Sequence, residues 1–352
     1  MKVKVITLTS VRNYGTQLQA LATQAKLKEY FDNVSIINYR RPDTYGKKLI
    51  KTFSHGNPIK AIAVLPTVIK WHFTFDRFQR KHLRLTSRFT DADIYFTGSD
   101  QVWNTGWNQG IIPELYLNFV PDGIPKYAFA ASFGGAKIEQ KYLAKTKQLL
   151  TRYTQISVRE ASGLNILRNQ LNIKNGLQII DPTLLMDTKF WRSYSSGKHP
   201  QGEYILIYNL NRNPDLDNYA RALARKTGLP VYRFCTRYDQ IIRYGKSLII
   251  PEVLDFISYI DHAKYVLTDS FHATAFAINM NTQPICVYPE QYSSRISDFL
   301  QLVGAEKCHV KNYHDFSVLD YRPDFTKINQ ILNTERKKAD QFLTSIKERH
   351  EK

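Results

Sequence analysis

The sequence predicts an α/β protein made of two β/α halves that face one another across a cleft. Three observations carry that reading. Short apolar runs, each long enough for one strand, alternate with stretches of helical spacing along most of the 352 residues. The segment Ser195 to Gly202, rich in serine, glycine and proline, reads as a linker, and the alternation restarts after it. Several strands end in polar or glycine-containing turns, and in open parallel sheets that is where ligands sit. The expected organisation is a first domain over 1–195 carrying a basic helical insertion at 40–88. A second domain spans 196–325, and a C-terminal helix occupies 326–352.

In the first half, Val3 to Leu8 is a β-rich run closed by the turn Ser10 to Gly15. Thr16 to Tyr30 has helical spacing through Leu18, Leu21, Ala22, Ala25 and Leu27, and Val34 to Asn38 is the second strand. This β-α-β opening predicts a parallel sheet with a right-handed crossover. Arg40 to Arg88 shows no strand pattern; Lys47 to Lys51 and Val64 to Arg84 read as helices, with Phe53, Trp71, Phe73, Phe75 and Phe78 among the bases. Asp93 to Thr97 is the next strand. In the turn Gly98 to Asn104, glycine permits close backbone approach, and Ser99 or Asp100 can cap a helix after it. Trp103 reads as core. Further strands are expected at Tyr127 to Ser132, Ile156 to Val158 and Leu177 to Ile180, with helices at Ile138 to Tyr153 and Ala161 to Gln170. The last of these strands ends in Asp181-Pro182-Thr183, where Asp181 reads as a turn former.

In the second half, strand Tyr204 to Tyr208, helix Leu216 to Thr227 and strand Val231 to Phe234 come after the linker. A strand at Ser247 to Ile250 and a helix at Val253 to His262 lead to the stretch on which the functional reading centres, Tyr265 to Val287. There a short apolar strand meets Thr268, Asp269 and Ser270, either of the last two able to cap the apolar helix Ala273 to Met280. Pro284 then opens the next strand. His272 falls in the first turn of the helix, where the dipole and free N–H groups favour an anion and the imidazole adds a titratable proton.

Composition bounds the function. Lys and Arg outnumber Asp and Glu 49 to 31, a net charge of +18, which points to anionic partners. Between Arg40 and Arg88 twelve bases stand against only Asp43 and Asp76. That insertion is either a solvated cover for one sheet face or a surface for an anionic acceptor or the cytoplasmic leaflet, where each base contributes ~1 kcal/mol. Cys235, Cys286 and Cys308 are widely spaced, without a C-x-x-C pair, and fit a reducing compartment with no disulfide framework and no metal site. The opening MKVKVITLTS goes directly into a strand with no signal-peptide apolar region, and the longest apolar run, Ala61 to Ile69, is far short of the ~20 residues of a span. A cytoplasmic protein is expected, with peripheral contact to the inner membrane face through 40–88.

Taken together, the turns resemble the polysaccharide pyruvyl transferase family. The matching stretches are Asn13 to Ala20, Gly98 to Asn104, Tyr127 to Gly134, Ser157 to Glu160, Asp181 to Leu185, Thr268 to His272 and the arginine of Ser293-Ser294-Arg295. Gly98 to Asn104 and Thr268 to His272 are the most specific. One departure is Ala273, where the family usually has glycine. The resemblance implies two Rossmann-like domains in a GT-B-like arrangement. It also implies transfer of a pyruvyl group from phosphoenolpyruvate to two hydroxyls of a sugar as a ketal, in a cell-surface or exopolysaccharide precursor, with no cofactor or metal. Arg159 and Arg295 are the natural partners for the donor's carboxylate and phosphate. His272 is assigned to the phosphate, as leaving-group acid, with Asp100 or Asp269 as base. Asn13, Tyr14, Gly15, Gly98, Ser99 and Ser270 complete the expected substrate-binding set. The residues alone leave Asp100 and Asp269 open as plain helix caps, and Glu160 open as a simple partner for an arginine.

The expected partners are phosphoenolpyruvate and a lipid-linked sugar acceptor, with no nucleic acid. Two rival classes remain. A glycosyltransferase using a nucleotide sugar would be served by the same architecture, and it would bind a nucleotide sugar instead of phosphoenolpyruvate. A non-catalytic glycan- or nucleic-acid-binding protein would suit the charge, but it would show steep salt dependence of nucleic-acid affinity.

Overall fold

The computed structural model describes residues 1–55, 57–211, 213–289 and 293–351. The first sheet contains β1 (Lys2–Ile6), β2 (Asn33–Ile37), β3 (Leu85–Thr86), β4 (Ile94–Thr97), β5 (Lys126–Ala131), β6 (Gln155–Val158) and β7 (Gly176–Gln178). Its order is β3-β2-β1-β4-β5-β6-β7. The second contains β8 (Ile205–Tyr208), β9 (Val231–Cys235), β10 (Lys246–Ile249), β11 (Tyr265–Thr268) and β12 (Gln283–Cys286), in the order β10-β9-β8-β11-β12. All neighbours pair in parallel. The central strands β1, β4, β5, β8 and β11 are buried almost throughout because helices cover both faces of each sheet. Pro284 lies inside β12, an outer strand of its sheet, where the missing N–H costs least.

Strand order reverses between β1 and β4 in the first sheet and between β8 and β11 in the second. These are the two switch points, where adjacent crossovers leave in opposite directions and open a crevice beyond the strand ends. The turns after β1, β4, β8 and β11 therefore converge, and they contain most of the site residues expected from the sequence.

The insertion departs from expectation in two ways. It ends in a strand, β3, which pairs with β2 at the sheet edge. Its main helix begins at Pro58, earlier than the expected Val64, because Asn57 caps it by accepting from Ile59 N at 2.9 Å and Lys60 N at 3.1 Å. That helix, Pro58–Trp71, runs through Pro66 and a π-turn, His72–Asp76, into Arg77–His82. It does more than cover a sheet face. Trp71 Nε1 donates to Thr236 O at 2.8 Å, and Tyr238 N donates to Thr67 Oγ1 at 3.1 Å, so the insertion grips the second domain.

The C-terminal helix Phe325–His350 returns to the first domain; Lys352, the expected end of this element, lies outside the described residues. Phe342 stacks on Phe129 of β5, and Tyr30 Oη donates to Asp340 at 2.8 Å. Arg336 meanwhile donates to Leu184 O at 3.0 Å and to Asn279 Oδ1 at 2.9 Å, reaching both domains. Cys235, Cys286 and Cys308 are free and buried.

Candidate active site

A cleft of about 790 Å³ opens between the switch points. From the first domain Asn13, Thr16 and Asp100 line it, and from the second Asp269, Ser270, His272 and Arg295. Its remaining walls include Trp107, Asn211, Tyr288 and Tyr313, which no motif signalled because each sits in a loop whose position depends on tertiary packing.

His272 is the second residue of the helix Phe271–Asn279, capped by Ser270, and Gly15 is the second residue of the helix Tyr14–Lys28, capped by Asn13. The two helix N-termini meet at the imidazole. A Cβ at Gly15 would lie 2.3 Å from His272 Cγ and 2.4 Å from Nδ1, closer than any real contact. Gly15 is thus the residue that makes room for the histidine, and it packs against His272 without lining the cleft. Two helix dipoles directed at one point create a positive potential suited to a phosphate or carboxylate.

Behind the ring runs a buried charged chain. His272 Nε2 is buried, 3.6 Å from Asp181 Oδ2, beyond good hydrogen-bond length, and makes no hydrogen bond among the described residues. Asp181 Oδ2 accepts from Arg159 Nη1 at 2.6 Å, and Arg159 Nε donates to Glu160 Oε1 at 2.7 Å. Thr183 N and Oγ1 both donate to Asp181 Oδ1, at 2.9 and 2.7 Å. Burial alone would raise the Asp181 carboxyl, but the His272 ring and the Arg159 guanidinium outweigh it and hold the group well below the usual carboxylate range. Burial would likewise lower Arg159, yet Glu160 and Asp181 keep it charged and above its ordinary value.

This geometry corrects several expectations. Arg159 is enclosed between two carboxylates and the face of Phe271, 4.5 Å from the ring centroid, and does not line the main cleft. It sets Asp181 in place, and with Arg295 it lines a smaller recess. Asp181, read as a turn former, does cap the short helix Pro182–Leu185, and it is also the carboxylate that His272 faces. The only sequence signal for that second role is the stretch Asp181 to Leu185 itself. Tyr14 is wholly buried among Phe75, Tyr208, Phe234 and Phe256 and donates to Pro251 O at 2.8 Å, so it ties the domains and does not face the cleft. Gly98 is packed against Val5 and Thr7, and Ser99 is buried with Oγ donating to Asp181 Oδ2 at 3.3 Å; neither lines the cleft.

The two other carboxylates differ. Asp100 holds φ at 74°, a left-handed conformation tolerated by aspartate, and accepts from Thr16 Oγ1 at 2.7 Å and Gln101 N at 2.8 Å. Asp269 accepts from Leu210 N at 2.7 Å, Asn211 N at 3.0 Å and Asn211 Nδ2 at 2.9 Å. Burial pushes the Asp269 carboxyl up despite these donors. Neither caps a helix directly after it; Ser270 does that for Phe271–Asn279. Arg295, the second residue of the helix Ser294–Val303, reaches both the cleft and a smaller recess beside Arg159. Among the described residues no group of three or more His, Cys, Asp or Glu is placed to hold a metal ion.

Two parallel α/β domains with facing switch points constitute a GT-B architecture. The fold resembles a Listeria monocytogenes structure assigned as a UDP-N-acetylglucosamine 2-epimerase, with a TM-score of 0.56 and 12% identity over 100% of this chain and 97% of that one. It also resembles Os79 from O. sativa, solved in complex with U2F and trichothecene, with a TM-score of 0.52 and 8% identity over 99% and 100% of the two chains. Identities this low speak to fold alone. No curated protein matches the sequence. The family model described as Polysaccharide pyruvyl transferase matches residues 13–291. The chain belongs to the polysaccharide pyruvyl transferase family.

Proposed function

We propose that the protein moves the pyruvyl unit of phosphoenolpyruvate onto two hydroxyls of a sugar, forming a ketal in a lipid-linked polysaccharide precursor and releasing phosphate. The observation that carries the reading is the meeting of two helix N-termini at His272, backed by Asp181 and faced by Asp100, Asp269 and Arg295 across one cleft. A small dianionic donor suits that potential, and Arg295 is a bidentate partner for its carboxylate or phosphate. The reaction adds a proton to the enol methylene and one sugar hydroxyl to the central carbon. The second hydroxyl then displaces phosphate, so two hydroxyl protons must be taken up and the leaving phosphate stabilised. His272, held at the cleft where the two helix N-termini meet, is the candidate acid for the leaving phosphate. Asp269, with its raised carboxyl, and Asp100 are the candidate bases. The remaining cleft, with Trp107, Tyr288 and Tyr313, has room and aromatic surface for the acceptor.

Thermal unfolding with ligands tests the donor. Phosphoenolpyruvate should raise the melting temperature, since saturation at about 100 times Kd adds ~2.7 kcal/mol, and Arg295→Ala should lose most of the shift. Uridine and guanosine diphosphate sugars should give no comparable effect. Stabilisation by a nucleotide sugar with silence from phosphoenolpyruvate would replace this reading with that of a glycosyltransferase.

A further inference from the structure

The helix Pro58–Trp71 and the turn His72–Asp76 that continues it have apolar residues on two opposite sides. One side, with Thr67, Trp71 and Phe75, is buried against the protein. The other presents Ile59, Ile62, Leu65, Ile69 and Phe73 to solvent, each between 43% and 79% exposed. At 100° per residue these five fall within one arc of the helix surface, and Pro66 lies in the same arc. The turn Tyr238–Gln240, bonded to this helix through Thr67, leads directly to Ile242, which is 93% exposed. Exposed apolar side chains scattered singly need no explanation, but a continuous ridge on one helix face does.

The charge around the ridge specifies what covers it. Lys47, Lys48 and Lys51 are exposed on or beside the adjoining helix Gly46–Ser54, and Lys60, Arg77 and Arg80 are exposed along the ridge helix and its continuation. The two acids of the insertion are already neutralised. Asp43 pairs with Arg41 at 2.7 Å, and Asp76 pairs with Arg12 and, at 2.6 Å, with His72. We infer that this face docks on an anionic lipid bilayer, with the aliphatic ridge entering the interface and the bases meeting the headgroups. An apolar face flanked by bases is the pattern of a helix lying in the membrane plane. A second copy of the chain is disfavoured as occupant because two such basic faces repel each other. Among the described residues no helix is long and apolar enough to cross a membrane, so the contact is peripheral. The inference is independent of the chemistry in the cleft, and its test reads binding alone.

Full-length protein is sedimented with vesicles of phosphatidylcholine alone or with about 30% phosphatidylglycerol, and its self-association is measured by ultracentrifugation. Binding should be strong only to the anionic vesicles and should weaken as salt rises past ~0.15 M. Ile62→Ser with Ile69→Ser should reduce it about tenfold or more, and each of Lys47→Gln, Lys48→Gln and Lys51→Gln about fivefold. Because these side chains are exposed, the variants should melt with the wild type, which separates lost docking from lost folding. Absence of binding to anionic vesicles, equal binding to neutral ones, or unchanged binding by the isoleucine variant would each overturn the inference. So would a dimer that the isoleucine changes convert to monomer.

Discussion

His272, Gly15 and Asp181 form a unit in which each residue constrains the next. Gly15→Ala places a methyl inside the imidazole, so the ring must turn or the helices must part, at a cost of about 1–3 kcal/mol. On the proposed chemistry, turnover of Gly15→Ala should fall nearly as far as that of His272→Ala, about 10²- to 10⁴-fold, while the protein still folds at 25 °C. Activity within a few-fold of wild type in a folded Gly15→Ala protein would show that the ring's position is unimportant. Asp181 supplies a pH test. Its carboxyl is depressed in the folded state relative to the ordinary value of 3.8, so the folded protein holds the ionised form more strongly than the unfolded chain does. The resulting stability is present above about pH 4 and is lost as pH falls through the depressed folded value. Melting temperature measured downward from neutral pH should therefore drop in this acid range. Asp181→Asn should start lower, by about 3–5 kcal/mol, because Arg159 loses one of its two buried partners. It should also show a shallower acid decline, and an unchanged acid limb would mean that Asp181 contributes nothing to it.

The insertion shows how an element can be read correctly as helical and still be misplaced. Trp71 carries the contact to the second domain, with its ring in the core against Phe53 and its Nε1 bonded to Thr236 O. Trp71→Phe should cost about 1 kcal/mol, the usual net worth of a hydrogen bond, and Trp71→Ala about 3–5 kcal/mol, both read by urea unfolding. Near-equal losses from the two changes would mean that the hydrogen bond, not the packing, holds the insertion. The strand alternation and the turns after β1, β4 and β11 are legible in the sequence because apolar runs, caps and glycines act within a few residues of chain. The two-residue β3 is not, since it pairs only because β2 offers it an edge. Arg159 and Tyr14 mislead for a related reason. An arginine at a strand end and a tyrosine in a turn look alike whether they face a ligand or a buried partner, and that partner lies far away in sequence: Asp181 for the one, Pro251 for the other. Asp181 itself is hidden behind its local role, because a helix cap explains the residue completely until His272 is folded beside it.

Two domains of this size would ordinarily unfold separately, and several features oppose that here. One apolar cluster runs from Val3 and Phe96 of the first domain through Tyr14, Tyr208 and Phe256 to Leu300 and Phe342, so the core is shared. The helix Phe325–His350 comes after the second domain in sequence yet packs on the first, burying Phe342, Leu343 and Ile346. Arg336 bonds to backbone and side chain on both sides of the divide. A shared core makes unfolding of either domain expose apolar surface of the other, at ~25 cal/mol per Å², and that couples the transitions. Scanning calorimetry should therefore give one endotherm with calorimetric and van't Hoff enthalpies in agreement, the mark of a two-state transition. On the proposed function, phosphoenolpyruvate should move that endotherm as a whole. Removing residues 325–352 should uncover Phe129 and its neighbours, lower the transition and broaden or split it. Two resolved endotherms in the intact chain, only one of them moved by phosphoenolpyruvate, would show that the domains are energetically separate and that the donor is held by one of them alone.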